Sequence, residues 1–430
     1  MNEQMNARDS VHEKKGTAVR RQLTALALAL AGVLAMTANT TQAADTTTIA
    51  GQEVALIGNA GSLILPSGIY GTHGTVLEQV DEVTAKIEAM LKAGNLKVGD
   101  LMRHTIFLKV GAQEPSRIFT KLIGNLRRMG PELTNNPTAG TIVLVPSFPD
   151  PATEIMVEFV GGRAPNGMTR VPIMFGPRMS VESIGNEQFV ASFGLEGLDF
   201  YGAATQGELD TLKTLDGEID KMVAILAANM SHAGMSIANV VSYNLYVTKG
   251  TDPVEAAAKL QHYLRKRVPN LDQTPSSGSV IVLDGATIPT LKVQLNVIAS
   301  RSKPATLSRV PQGDVAQSVT ADGVVFVSGI GGNGKSGAKA DAARQAEDAA
   351  RGIDAALKKA GGLKLSDVAR FDTYVKQGDD TAAALARFYK AARKLDPAFD
   401  SSKAAAVVAV VEGFPDAATR FLASAVAARK

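Results

Sequence analysis

The feature that most constrains the fold is a threefold internal repeat. Three stretches align without gaps, at residues 100–109 (DLMRHTIFLK), 239–248 (NVVSYNLYVT) and 367–376 (DVARFDTYVK). Each alternates with the period of a strand and is rich in β-branched and aromatic residues. An Ala-Gly pair precedes each stretch, at residues 93–94, 233–234 and 360–361. This self-similarity indicates one structural unit used three times along the chain.

Helical patterns flank each of these strands. The first helix of each unit is predicted from apolar residues three and four apart: Val76, Val80, Val83, Ile87 and Leu91; Leu212, Leu215, Ile219, Met222 and Leu226; Ala342, Ala346, Ala349, Ile353 and Leu357. Second helices are predicted at residues 117–128, 254–267 and 381–394, and two extended apolar segments follow each of them. The pattern predicts an α+β unit ordered strand, strand, helix, strand, helix, strand, strand, with helices on one face of a mixed sheet. The glycine of each Ala-Gly pair is predicted to end the first helix at positive φ.

The N-terminal segment has the pattern of a targeting signal rather than of a folded element. Basic residues precede an apolar run at residues 23–38, and small residues frame a cleavage site before Ala44. This is the three-part pattern of a secretory signal, which predicts an exported protein, periplasmic or secreted. An uncleaved anchor is the alternative, but the run is shorter than the ~20 residues that span a bilayer, so we expect no stable membrane insertion after cleavage. The Arg20-Arg21 pair leaves the general and twin-arginine export routes open.

The remaining sequence divides into three units, at residues 44–165, 166–303 and 304–430, with joints rich in Gly, Pro, Ser and basic residues. The formal net charge of the whole chain is +3, and without residues 1–43 it is +1, so we predict no nucleic-acid partner. The absence of cysteine excludes a thiolate nucleophile. The five histidines show no ligand spacing, so neither a metal site nor a cofactor is predicted.

Each unit resembles the RidA family, also called YjgF/YER057c/UK114 or "endoribonuclease L-PSP". The resemblance is strongest at residues 93–109 (AGNLKVGDLMRHTIFLK) and 324–329 (VVFVSG), with residues 63–68 (LILPSG) and 189–194 (FVASFG) at the corresponding place. It implies a chorismate-mutase-like fold, a trimer of units and ligand clefts between neighbouring units. Three tandem units would then form an intramolecular pseudo-trimer of a monomeric chain, which hides the free sheet faces around one axis.

The resemblance also implies a reaction, the hydrolysis of reactive enamines and imines to ketones and ammonia. It implies an arginine near the start of the penultimate strand, a glutamate on the last strand, a tyrosine on the first strand, and backbone groups at the Ser-Gly turn. A guanidinium suits a planar carboxylate, and a carboxylate can exchange a proton with water. No arginine occurs in residues 136–148, 274–289 or 400–415. The glutamate position falls at Met156, Gln294 and Leu422, and the tyrosine position at Val54, Met179 and Val315.

The remaining catalytic candidates are Glu158, two residues beyond the glutamate position, and Lys403, the one cation in those three stretches. The ligand-binding candidates border the predicted clefts: Ser67, Gly68, Tyr70, His73, Gly194, Ser328 and Gly329. Two functions stay open. The protein binds or processes an unknown small molecule in its inter-unit clefts, or it is a catalytically inactive ligand-binding or protein-interaction scaffold.

A phosphate-loop pattern occurs once, at residues 329–336 (GIGGNGKS). The corresponding loops of the other units read GIYGTHGT and GLEGLDFYGAA. We therefore interpret these glycines as a turn of the unit rather than as a nucleotide site.

Overall fold

The computed structural model describes residues 48–49, 52–53, 57–112, 115–134, 139–175, 178–195, 213–286, 289–332 and 340–428. These residues belong to one compact unit, Ala43–Lys430. The predicted signal segment, Val54, Leu212 and the second half of the phosphate-loop pattern, residues 333–336, lie outside the described residues.

From the first helix onward the elements follow the predicted order, but three strands rather than the predicted two precede that helix in each unit, and unit 2 has one extra short strand before its last strand. A short pair, β1 (Thr48–Ile49) and β2 (Gln52–Glu53), comes first. Unit 1 contains β3 (Ile57–Ala60), β4 (Leu63–Pro66), β5 (Ile69–Gly71), α1 (Val76–Ala93), β6 (Leu101–Lys109), α2 (Pro115–Met129), β7 (Ala139–Val145) and β8 (Ile155–Gly162). Unit 2 contains β9 (Thr169–Phe175), β10 (Arg178–Gly185), β11 (Phe189–Leu195), α3 (Leu215–His232), β12 (Val240–Thr248), α4 (Pro253–Arg267), β13 (Ser277–Leu283), β14 (Gly285–Ala286) and β15 (Val293–Ser300). Unit 3 contains β16 (Ser308–Gln312), β17 (Val315–Ala321), β18 (Val324–Gly331), α5 (Ala342–Lys359), β19 (Val368–Lys376), α6 (Thr381–Leu395), β20 (Ala405–Val411) and β21 (Phe421–Ala428).

The first helix of each unit starts at a side-chain cap and buries the predicted apolar stripe. Thr75 and Thr214 accept hydrogen bonds from the third helical N–H, and Asp341 does the same for α5, which satisfies a donor that the helix itself cannot. The stripes of α1 and α5 are buried against the sheet, as are Ile219, Met222 and Leu226 of α3, whereas Leu215 at the start of α3 is half-buried. Local periodicity therefore predicted these helices correctly.

The helix ends differ from the prediction in unit 1. Gly94 has φ −79°, and the left-handed residue is the next one, Asn95, with φ 49°. The predicted glycines of units 2 and 3, Gly234 and Gly361, do have positive φ, at 72° and 141°. Gly362, which like Gly234 and Asn95 lies six residues before the following strand, has φ 73°. The prediction of a positive φ at Gly94 is wrong because α1 runs one residue further relative to its Ala-Gly pair. Asparagine tolerates the left-handed region better than most residues.

Each unit builds a mixed sheet with helices on one face. The middle strand pairs parallel with the penultimate strand and antiparallel with the last, as β6 does with β7 and β8. The same pairing recurs for β12 with β13 and β15, and for β19 with β20 and β21. The sheets of units 2 and 3 join into one through a parallel contact between β13 and β17. The α+β class is thus confirmed.

The three units are joined in a cycle by equivalent backbone pairings. The residue two beyond each penultimate strand pairs with the penultimate strand of another unit: Ser147 with Val410, Gly285 with Leu144, and Gly413 with Val282. The backbone N–H groups of Asp284 and Glu412 donate to the neighbouring strand at 3.1 and 3.0 Å, whereas the equivalent Pro146 has no N–H. Units 1, 3 and 2 therefore follow one another around a pseudo-threefold axis.

The sheet faces that carry no helices meet on this axis. One buried cluster there takes large side chains from all three units, including Phe107, Tyr246 and Tyr374, which occupy the same position on the three middle strands. The predicted intramolecular pseudo-trimer is confirmed by this shared core, which no unit could bury alone.

Candidate functional site at the unit interfaces

The interface between units 1 and 3 is closed by direct hydrogen bonds from the predicted ligand-binding turn. The Ser67 hydroxyl accepts from the Ala406 N–H at 3.0 Å, and the Gly68 N–H donates to the Ala406 carbonyl at 2.9 Å. The Tyr70 hydroxyl donates to the Val408 carbonyl at 2.9 Å. Burial raises the pKa of this phenol well above its ordinary value. These three candidates are bound to β20 of the next unit rather than directed into an open cleft.

The interface between units 3 and 2 repeats this arrangement. The Ser328 hydroxyl accepts from the Gly278 N–H at 2.9 Å and donates to the Ala316 carbonyl. Gly329 packs so closely on β13 that a Cβ atom would lie 2.7 Å from the Ser279 hydroxyl. Ser67 and Ser328 thus bind equivalent residues, since Ala406 and Gly278 are each the second residue of the neighbouring penultimate strand.

The interface between units 2 and 1 is described mainly from the unit 1 side. Gly194 lies near the end of β11, and residues 196–212, which follow this strand, are not among the described residues. On the unit 1 side, β7 begins beside the buried His104 ring, where a Cβ atom on Gly140 would lie 2.1 Å from Nε2. In unit 2 a Cβ atom on Gly278 would lie 2.2 Å from the Tyr243 ring. Aromatic rings therefore fill the space beside the starts of β7 and β13, which belong to the stretches where the resemblance implies an arginine.

His104 is a buried neutral residue rather than a site histidine. It is fully buried, and its ring stacks on Phe119 at 6.3 Å between centroids. Burial, together with the nearby positive charge of Arg103, lowers the pKa of His104 to about 4. The imidazole is therefore uncharged at neutral pH.

His73 points away from the interface. Its Nδ1 lies 3.0 Å from the Thr72 hydroxyl and 3.4 Å from Glu82 Oε1, while the N–H groups of residues 72 and 73 donate to Glu82 Oε2 at 2.8 and 3.0 Å. Burial acts to raise the pKa of Glu82, but the Lys86 ammonium and these N–H groups outweigh it and lower the pKa to about 2. His73 thus tethers a loop to α1 and does not meet Tyr70 in a shared pocket.

The two catalytic candidates also do not converge. Lys403 has a side chain that is 69% exposed, and its ammonium lies 3.9 Å from the Asp400 carboxylate. Glu158 is 1% exposed, and its Oε1 accepts from Arg103 Nη2 at 3.1 Å and from Arg370 Nη2 at 2.8 Å. Burial would raise the pKa of Glu158, but the two guanidinium groups outweigh it and hold the pKa below its ordinary value.

Glu158 belongs to a buried charge cluster on the axis, formed by Arg103, Glu158, Arg370 and Asp372. Arg370 Nε lies 2.8 Å from Asp372 Oδ1, and its Nη1 donates to the Phe159 carbonyl at 3.0 Å. Unit 2 contributes neutral groups instead, and Asn296 Nδ2 donates to the Thr105 hydroxyl at 3.2 Å. The charges of units 1 and 3 therefore balance each other in the core.

The cluster borders a cavity of about 20 Å³ between the units, lined in part by Arg103, Asn244 and Asp372. Such a volume holds a water-sized molecule, whereas pockets for organic ligands typically measure about 300–1,000 Å³. A wider groove of about 710 Å³ lies on the helical face of unit 3, where Arg351 and Arg387 pair with Glu347.

Sequence reasoning missed this cluster, although a signal was present. Charged or polar residues recur two positions apart at the same places of the middle strands: Arg103 and Thr105, Ser242 and Asn244, Arg370 and Asp372. Period-2 polarity usually indicates a solvent-exposed face. Only the closure of three sheets around an axis places this face inside the molecule.

Among the described residues, no three His, Asp or Glu side chains are placed to hold a metal ion. No helix in the described part of the chain is long and apolar enough to cross a membrane.

No family model and no curated protein matches the sequence. Solved structures do align with it. A chorismatase is 12% identical, with 77% of this chain and 93% of that chain covered at a TM-score of 0.47. A YjgF/YER057c/UK114 family member from Mycobacterium tuberculosis is 23% identical, with 29% and 100% covered at a TM-score of 0.24. The TdcF protein of E. coli with bound serine is 14% identical, with 31% and 94% covered at a TM-score of 0.23.

Proposed function

We propose that this chain is a non-hydrolytic, RidA-like scaffold, exported from the cell as a covalent pseudo-trimer. The observation that carries the proposal is the closure of two interfaces by their own Ser-Gly turns. At the 1–3 and 3–2 interfaces the serine hydroxyl accepts the N–H of residue 406 or 278 on the neighbouring strand. A substrate at either place would have to displace these hydrogen bonds to reach the backbone groups of residue 406 or 278.

The chemistry of the candidate residues supports the same proposal. Enamine hydrolysis needs a cation for the substrate carboxylate and a carboxylate that can exchange protons with water. Glu158 is already shared by two guanidinium groups, and Lys403 lies on an exposed turn. The cavity beside the cluster, about 20 Å³, has room for water but not for an amino-acid-derived substrate.

A direct assay tests the proposal. The purified protein is added to freshly generated 2-aminoacrylate, and formation of the ketoacid and of ammonia is followed. We expect the rate in buffer to be unchanged. Any rate increase over buffer would overturn the proposal. An increase that is lost in Glu158→Gln while circular dichroism shows that variant to be folded, but kept in Lys403→Ala, would place enamine hydrolysis near the axis. An increase lost in Lys403→Ala would place the reaction at the start of β20 and would overturn it equally.

Export is tested separately by fractionating cells that express the full chain. The expected result is protein outside the cytoplasm with an N-terminus at Ala44, as the pattern of residues 1–43 predicts. Full-length protein in the cytoplasmic fraction would contradict this part of the proposal.

A further inference from the structure

The fourth residue of the first helix holds the same structural position in all three units. It is Gln79 in α1, Glu218 in α3 and Gln345 in α5, and each side chain is at most 1% exposed. Each side chain holds the segment that leads into the last strand of its unit. Glutamine carries an amide NH₂ group where glutamate carries a second carboxyl oxygen, and the two side chains are otherwise alike. Units 1 and 3 can therefore be compared directly with unit 2.

In units 1 and 3 the amide uses both of its ends. Gln79 Oε1 accepts from the Glu154 N–H at 2.8 Å, and its Nε2 donates to the Ala152 carbonyl at 2.8 Å. Gln345 Oε1 accepts from the Arg420 N–H at 2.7 Å, and its Nε2 donates to the Ala418 carbonyl at 2.8 Å. The segment before β8 or β21 is thus held by one accepted and one donated hydrogen bond.

In unit 2 the Glu218 side chain reproduces only the accepted hydrogen bond of the two glutamines. Glu218 Oε1 accepts from the N–H groups of Lys292 and Val293, both at 2.9 Å. Glu218 Oε2 is buried and has no hydrogen-bond partner. It takes the place of the amide nitrogen, and Thr290 is the residue equivalent to Ala152 and Ala418. An ionised carboxylate there would leave a buried charge without a donor, which is costly, whereas a protonated carboxyl has an O–H to donate.

We propose that Glu218 is a neutral carboxylic acid in the folded protein, and that its O–H replaces the amide N–H of Gln79 and Gln345 as the donor to the segment before β15. The last strand of unit 2 then depends on a hydrogen bond that exists only while Glu218 is protonated. Val293 begins β15, which also carries Gln294 and Asn296 in the buried part of the molecule. Loss of the proton would loosen this segment and the strand that follows it.

The electrostatic surroundings of Glu218 agree with this assignment. Burial raises the pKa of Glu218 and outweighs the two backbone N–H groups and the Lys292 charge, which lower it. Among the described residues, Lys292 is the charged group that acts on Glu218, from the segment before β15. The other acidic residues of α3 nearest to it in sequence, Asp216 and Asp220, pair with Lys259 and Arg267 of α4. A pKa above its unfolded value means that the stabilisation is complete below the unfolded pKa and is lost as pH rises through the folded pKa.

The test measures unfolding of the full chain in urea at a series of pH values, for the wild type and for Glu218→Gln. We expect the ratio of their folding equilibrium constants to rise with pH in favour of Glu218→Gln, about tenfold for each pKa unit by which the folded state exceeds the unfolded one. The reciprocal variant Gln345→Glu is the matched control. Its stability to urea should fall with rising pH in the same way, because the carboxyl now lies in unit 3. A carbon-13 NMR titration of the Glu218 carboxyl, assigned with Glu218→Gln, reports the protonation state directly.

Two results would overturn the proposal. One is a Glu218 carboxyl that titrates at or below the ordinary glutamate pKa. The other is a wild type and a Glu218→Gln variant whose stabilities change with pH in parallel. If Gln345→Glu does not fold, the NMR titration of the wild type still decides the question. The enamine assay does not depend on either result.

Discussion

At the scale of single residues, Glu158 is the carboxylate on which two buried guanidinium groups converge. Arg103 and Arg370 both reach its Oε1. Removal of one partner from a buried ionic cluster leaves uncompensated charge in a low-dielectric interior. We expect Glu158→Gln to lower the free energy of unfolding by about 3–5 kcal/mol, measured by urea denaturation.

The control for this prediction is Lys121→Ala, which removes an exposed ion pair with Asp81. Exposed pairs contribute less than about 1 kcal/mol because water and salt screen them. Equal losses in Glu158→Gln and Lys121→Ala would contradict a structural role for the buried cluster.

His104 makes a second prediction at this scale, on acid stability. The pKa of His104 is about 4 in the folded protein and about 6.5 in an unfolded chain, so the unfolded state takes up the proton first as pH falls. The contribution of neutral His104 to the free energy of unfolding is therefore complete above pH ~6.5. It falls towards pH ~4, by about 3 kcal/mol in total. His104→Phe, which copies Phe371 at the equivalent position of unit 3, should flatten this part of the profile.

Urea midpoints measured across that pH range check the prediction. A wild-type slope that persists in His104→Phe would assign the acid sensitivity to other groups.

At the scale of elements, the local sequence pattern predicted the helices and most strands, but it did not predict which of them are in contact. The stripe of α1 predicted its buried face because residues three and four apart share one side of a helix. The hydrogen bonds from Tyr70 of β5 and from the preceding turn to β20 could not be predicted, since they join residues more than 300 positions apart, such as Tyr70 and Val408. The position of Asn95 was missed for a related reason: the exact end of a helix depends on its capping contacts.

The contact between Gly140 and His104 provides a prediction at this scale. A Cβ atom at Gly140 would lie 2.1 Å from the His104 ring, so Gly140→Ala forces the ring or β7 to move. We expect a loss of about 1–3 kcal/mol in the free energy of unfolding, as overpacked cores show. The double variant with His104→Ala should lose less than the sum of the two single variants, because the ring that clashes is gone.

Gly124→Ala is the matched control, since nothing lies within 4 Å of a Cβ atom at this glycine of α2. Alanine favours a helix interior over glycine by up to about 1 kcal/mol, so this variant should gain stability. A gain in Gly140→Ala as well would contradict the close approach of β7 to the ring.

At the scale of the whole molecule, the shared core predicts a protein that assembles within one chain. The cycle of backbone pairings closes with three units, and tethering makes their association independent of protein concentration. We expect sedimentation at the mass of a single chain and a melting temperature that does not change with dilution. A stable trimer of chains, or a melting temperature that falls on dilution, would contradict this prediction.

The sequence by itself determined the repeat, the α+β class and the identity of the helical faces, because these depend on residues close together along the chain. It also showed that no arginine stands in the three stretches where the resemblance implies one. Only the tertiary structure decided what the candidate residues do. Ser67, Tyr70 and Ser328 became contacts between units, and Glu158 became the centre of a buried charge cluster. The physical reason is that closure of three sheets around an axis turns polar strand faces inward, and this closure depends on contacts between distant parts of the chain.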